Sequence, residues 1–310
     1  MANLVTHVHY AEAILNLLSP HAKEKASAQR DAFVYGSIGP DFLFVLREIG
    51  DKSGQFCNQM QYNNTFEVFS SIVDYIREKG TQAEYSYALG LLCHYVMDFH
   101  MHPFVNFFVE EGRFKDLPAD QQQGIHSMIE SALDAYVVTE RMGYKESNLY
   151  NPAKHIKTTC KTRRAIASLY IGAINKIIGF DVTPFKFNLS IFLTRAFVAF
   201  ATDKSGRKRK FFSCKEGKTP EQGKKKVRNL MRPPEFYGEI DFLNLEKRPY
   251  SIARNRAEFA NHSAPELLDA ALAKGVEYIE KFIAAVEGGT PLERKDFAIN
   301  YEGVDTEIIK

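Results

Sequence analysis

The sequence predicts an all-α protein, and three observations carry that prediction. Apolar residues recur at helical spacing along nearly the whole 310-residue chain. Alternating apolar and polar runs joined by hairpin turns are missing. Gly or Pro follows several of the periodic runs, as at helix ends. Residues 10–18 carry apolar side chains on one face and stop at Ser19-Pro20. Residues 66–78 read FEVFSSIVDYIRE, with Gly80 as the stop. Residues 85–102 are strongly apolar and predict a central, buried helix. A further helix over 121–142 ends at Gly143, and 162–178 and 185–202 give two more. Ser263-Ala-Pro-Glu266 reads as a capping box with an early Pro, opening a helix to about residue 286. The chain has no internal repeat. One domain over residues 1–310 is expected, a multi-helix bundle around a metal cluster.

Composition narrows the class. The balance of 45% apolar and 25% charged residues is that of an ordinary soluble protein, and the length is ample for a self-sufficient core. No stretch approaches the ~20 continuous apolar residues of a membrane helix. The N-terminus shows no basic flank before a long apolar run and no small-residue cleavage pattern. No secretory signal is therefore expected, and the expected location is cytoplasmic, at most peripheral to a membrane. Cys57, Cys93, Cys160 and Cys214 are far apart and form no CxxC pair. That argues against a disulfide framework or a cysteine zinc site, so metal chemistry here must come from histidines and carboxylates.

Charge is unevenly spread. Residues 203–228 hold eleven Lys/Arg against three Asp/Glu, a local +8 in a chain of net +2. With Gly206, Gly217 and Gly223 inside it, this stretch reads as a mobile basic insertion between helices. Its side chains from Lys204 to Arg228 offer an anionic membrane surface a place to bind. Nothing in it predicts specific nucleic-acid recognition.

The chemistry concentrates in Leu91-Leu-Cys-His-Tyr-Val-Met-Asp-Phe-His-Met-His-Pro103. His94 and Asp98 stand one helical turn apart on a shared face, and His102 lies one turn further along. A second predicted helix carries His126 and Glu130 at the same spacing, with Asp134 a turn later. Imidazole and carboxylate together suit zinc. Unpaired charges are expensive inside an apolar bundle, and a metal would satisfy several at once. One such pair is most simply a side-chain hydrogen bond; two pairs, one in an apolar helix, favour metal.

The pattern His94-Tyr-x-x-Asp98-x-x-x-His102-Pro, followed by His126-x-x-x-Glu130, resembles the zinc-dependent phospholipase C family. That family includes the bacterial phosphatidylcholine-hydrolysing enzymes and the alpha-toxin catalytic domain, with single-strand-cutting zinc nucleases as distant cousins. Gly36-Ser-Ile-Gly-Pro-Asp41-Phe resembles its early Pro-Asp motif, and Thr6-His7-Val-His9 its first histidine. The resemblance spans roughly residues 1–140. It implies two or three zinc ions: Asp41, His94 and Asp98 at one position, and His102, His126 and Glu130 at a second. His7 or His9 would hold a third, with Asp98 bridging; Thr-His is the commoner form and favours His7. The chain departs from relatives in two places. It has no Trp, and no histidine lies between His21 and His94, where Gln61 or Asn63 takes the place.

The resemblance implies a zinc-dependent phosphodiesterase that hydrolyses a phosphate ester by metal-activated water. Asp41 would orient that water or act as its base. A phospholipid head-group ester is the first substrate expected, and another phosphodiester the next. The rival expectation is a non-catalytic metal-binding or scaffold protein, in which the missing histidine leaves a single closed zinc site.

Overall fold

The computed structural model describes residues 4–51, 55–112, 114–179, 182–216, 231–236, 238, 240–251 and 259–306. Helices dominate them, and the chain is an all-α bundle. Helices α1 (Leu4–Leu17), α2 (Pro20–Ser27) and α3 (Arg30–Ser37) lead into a tight 3₁₀ turn, Gly39–Leu43, and the short α4 (Phe44–Glu48). Next come α5 (Gln55–Tyr62), α6 (Thr65–Lys79) and the long α7 (Gln82–Asn106). Helix α8 (Ala119–Tyr136) continues into a wide π turn, Val137–Arg141, and a similar turn joins α9 (Cys160–Leu169) to α10 (Asn175–Ile178). Helices α11 (Pro184–Ala201), α12 (Arg207–Glu216) and α13 (Ala264–Gly288) complete the set. The only paired strands among the described residues are the two-residue β1 (Tyr250–Ser251) and β2 (Phe259–Ala260), antiparallel with Tyr250 opposite Ala260. No described helix is long and apolar enough to cross a membrane.

Local signals account for most boundaries. Ser19-Pro20, which ends α1, also opens α2: Ser19 Oγ accepts from the Ala22 N–H, and Pro20 starts the first turn. The capping box at α13 forms as expected, with Glu266 accepting from the Ser263 N–H at 3.0 Å. Helix α1 begins six residues before its apolar stripe. Its first turn is secured from a distance, because Asp134 accepts from the N–H groups of Val5 and Thr6 and from the Thr6 hydroxyl. Those amides have no partner inside the helix, and no pattern in residues 1–10 announces a cap 128 positions away.

The expected mobile basic insertion needs correcting over its first half, which is helix α12. Gly206, at φ +67°, turns the chain, and the Asp203 carboxylate accepts from the Arg209 N–H at 2.8 Å. Lys208 reaches back to the carbonyls of Phe200 and Thr202. Clustered like charge is thereby tied down at the start of the helix. Residues 217–228 of the same basic stretch lie outside the described residues.

The chain resolves into two compact units, interleaved in sequence. One comprises Met1–Thr6, His100–Ala153 and Ala196–Asp269; the other comprises His7–Phe99, Lys154–Arg195 and Ala270–Lys310. The second has a core of interlocked rings. Phe42 packs edge-on against Tyr170 and Phe187, and Tyr95 contacts Phe69, Tyr278, Phe297 and Tyr301. Aromatic pairs of this kind favour offset and edge contacts. In the first unit, Phe104 and Phe107 pack on the buried Tyr250.

Two glycines set the distance between α3 and α7. A Cβ on Gly36 would run into the Tyr87 carbonyl oxygen, and one on Gly90 into the Phe33 carbonyl oxygen. The backbones therefore touch, and the C-terminal end of α3 is delivered beside His94.

Candidate metal centres

The close approach of α3 and α7 places the Ser37 carbonyl 3.2 Å from His94 Nδ1. A carbonyl only accepts, so Nδ1 carries the proton and the ring is fixed in orientation. Gly39, at φ +61°, lies directly against the His94 ring, where a Cβ would collide with Cδ2. The next two residues carry Asp41 into place, and the Cys57 thiol donates to the Pro40 carbonyl, holding that turn. The glycine in this turn thus has two duties: a left-handed backbone, and room for an imidazole.

His94 Nε2 then faces two carboxylates, Asp98 Oδ2 at 3.1 Å and Asp41 Oδ1 at 3.6 Å. His7, from α1, stacks on His94 with ring centroids 4.2 Å apart, and its Nε2 is 3.3 Å from Asp98 Oδ1. Candidate donor atoms of His7, Asp41 and His94 lie within 4.8 Å of one another. His7, not His9, enters this group; a residue two positions on points about 200° around the helix. Gln61 donates its amide to Asp41 Oδ1 at 3.1 Å. Asn63 is exposed. Tyr301 closes one side, its ring 5.9 Å from that of His94.

The second group is His102, His126 and Glu130, again with candidate donors within 4.8 Å. His102 comes from the last turns of α7, and the other two from consecutive turns of α8. His126 Nε2 is 3.2 Å from Glu130 Oε1, and the His102 and His126 rings are 5.6 Å apart. This group is partly exposed, whereas His7 and His94 are buried. Asp134, one turn beyond Glu130, serves the start of α1 instead.

Electrostatics separates the four groups. Burial alone would lower His94, but Asp98 and Asp41 outweigh it and raise its pKa. Burial, with His94 adding to it, lowers that of His7 despite Asp98. Burial would raise Glu130; nearby positive charge, including His126 and His102, reverses this and brings it to about 2. Asp134 moves the other way, pushed up to about 6 by burial although Arg232 and its three donors favour the charged form.

The residues fit zinc. His94 Nε2 and His7 Nδ1 are buried nitrogens that make no hydrogen bond. With Nδ1 held by Ser37, a neutral His94 aims a bare lone pair at two anions, which is repulsive unless a cation stands between them. An imidazole oriented by a carbonyl on its far nitrogen is the usual support of a metal-ligating histidine. The second donor set, two imidazoles and a carboxylate, is equally suited to zinc.

An all-α chain with buried histidines and carboxylates on adjoining helical turns defines a class of metal-dependent proteins. Residues 6–177, more than half of the chain, match the family described as zinc dependent phospholipase C, and the chain belongs to that family. No curated protein and no solved structure matched significantly. The matched segment contains every candidate ligand named above. Spacing along the sequence does not single out Ser37, Gly39 or Tyr301. Ser37 and Gly39 stand inside the Gly36-to-Phe42 stretch, which is the signal for both. Tyr301 had none, since only folding brings it beside His94.

Proposed function

We propose that this chain hydrolyses a phosphodiester with zinc held by His7, Asp41, His94 and Asp98 and by His102, His126 and Glu130, a phospholipid head-group ester being the first substrate class. The observation that carries the reading is the buried His94 Nε2, which makes no hydrogen bond and is flanked by two carboxylates. Bound zinc would supply Lewis-acid stabilisation of phosphate oxygens and a more acidic water. Asp98 is held between His7 and His94 and is only 4% exposed, whereas Asp41 is 16% exposed. Asp41 is thus the carboxylate of this group that meets an entering water. It takes the water proton as the oxygen bonds to phosphorus, the ester phosphorus–oxygen bond breaks, and the departing oxygen receives that proton from the Asp41 carboxyl to leave as the alcohol. Gln61 holds one Asp41 oxygen through its amide and so fixes the carboxylate plane.

The test is hydrolysis of bis(p-nitrophenyl) phosphate by protein purified without added metal. Activity should be abolished by chelator and restored by zinc. Asp41→Asn should lower turnover by about 10² or more, the range for a positioned base, while metal in the second group is retained. Zinc-loaded protein that fails on phosphodiesters, phospholipids and single-stranded nucleic acid would sink the reading. One observation favours a second reading, a non-catalytic zinc scaffold: the Gln61 amide stands where a ligating imidazole is expected, and a neutral amide binds zinc poorly. Elemental analysis separates the two. Two or three zinc ions support catalysis, and one supports the scaffold.

A further inference from the structure

Three phenylalanines form a continuous patch where α11 meets α12. Phe200 contacts Phe212 with ring centroids 6.1 Å apart, and Phe212 contacts Phe211 at 5.5 Å. Phe200 is 45% exposed and Phe211 54%. Lys208 stands over the Phe200 ring at 5.3 Å, anchored on the carbonyls of Phe200 and Thr202. Lys204, Arg207 and Lys210 of the same segment are exposed. In sequence α12 is RKRKFFSCKE, five basic residues against one acidic, and the basic run continues to Arg228. We infer that this surface docks the protein on an anionic lipid bilayer, with Phe200 and Phe211 entering the interface and the lysines and arginines over the head groups.

The pairing of chemistries is the argument. Exposed Phe contributes nothing to a solvated linker, and an interfacial element combines such rings with Lys and Arg. Anionic head groups reward each nearby basic residue. A single strand of nucleic acid also prefers basic and aromatic surfaces, but it needs ring faces free for stacking. Here Lys208 stands over the Phe200 ring and the rings meet nearly at right angles, at 75° and 82°, so they form no run of parallel faces on which successive bases could stack. The inference rests on the phospholipid reading only for why such docking is useful; the surface itself holds none of the candidate zinc ligands.

Full-length protein is mixed with vesicles of phosphatidylcholine containing about one-third phosphatidylserine, with pure phosphatidylcholine vesicles and with a single-stranded oligonucleotide, each at low and at high salt. Binding to the anionic vesicles alone, weakened by salt, is expected. Arg207→Glu with Lys210→Glu should weaken it more than tenfold, at about fivefold for each basic residue removed. Phe211→Ser should weaken it at every salt concentration, because that contribution is not screened. Both variants should keep the wild-type melting temperature and the wild-type rate on bis(p-nitrophenyl) phosphate. Wild-type protein that ignores anionic vesicles, variants that bind them as wild type does, or preference for the oligonucleotide overturns the proposal. A protein that docks but hydrolyses nothing leaves this inference standing and defeats the catalytic one.

Discussion

At the scale of single residues, the two metal groups differ in what removing a ligand does. His102, His126 and Glu130 offer three donors, the number a catalytic zinc site uses beside its open position. Taking one away leaves two, too few to hold the ion. His102→Ala and His126→Ala should therefore each lose about one metal equivalent, measured by elemental analysis after gel filtration. Each should also melt at lower temperature, since metal binding contributes to folding. If both variants keep full metal content, the assignment is wrong. The buried group behaves differently when metal is absent. His94 has a raised pKa because Asp98 and Asp41 outweigh its burial, so a proton on His94 is favoured there and offsets one of the two negative charges.

At the scale of elements, the contact of α3 with α7 decides where the first group sits. Gly36 and Gly90 let two backbones meet, and that contact sets both the Ser37 carbonyl on His94 and the turn that carries Asp41. Gly90→Ala places a methyl against the Phe33 carbonyl oxygen, which cannot yield without moving α3. The expected cost is about 1–3 kcal/mol, as for other overpacked cores, read by denaturant unfolding. Zinc affinity should fall together with stability, because Ser37 and Asp41 ride on the displaced segment. Unchanged zinc affinity in a destabilised Gly90→Ala protein would show that the contact does not position the site. Helix α12 makes the opposite point. Its sequence contains no apolar stripe, and it forms because Asp203, Gly206 and Lys208 terminate and anchor it.

For the molecule as a whole, pH acts on stability through more than the metal ligands. His155, in the turn before α9, is held neutral. Burial and then the positive Lys154 bring its pKa to about 4, with Arg30 adding to this and Glu12 opposing it. In the unfolded chain it would titrate near 6.5. A depressed histidine contributes stability that is fully present above the unfolded value and is lost as pH falls from about 6.5 towards 4. Candidate zinc ligands also protonate in this window, so the comparison is made in chelator. Wild-type protein should lose melting temperature between pH 7 and pH 4.5 more steeply than His155→Gln. Equal slopes would mean that His155 is hydrated and titrates normally.

The helical class, the spans of α6, α7 and α11, the α13 capping box and the carboxylate–histidine spacings were all legible in the sequence. Each is a local property, set by period, by caps and by residues one turn apart. The family too was legible, because its motifs are short runs such as His94-to-Pro103. The start of α1, the helix within the basic stretch and the groups that orient the ligands, Ser37, Gln61 and Tyr301, were not. Thr6 needs Asp134, His94 needs Ser37 and Tyr301, and Asp41 meets Gln61, all across gaps of tens to hundreds of residues. Spacing along one helix shows which side chains share a face. Only the packing of α1, α3 and α7 decides which of them share a site, because a ligand set is closed by atoms from separate elements and their distances are fixed by the contacts between those elements.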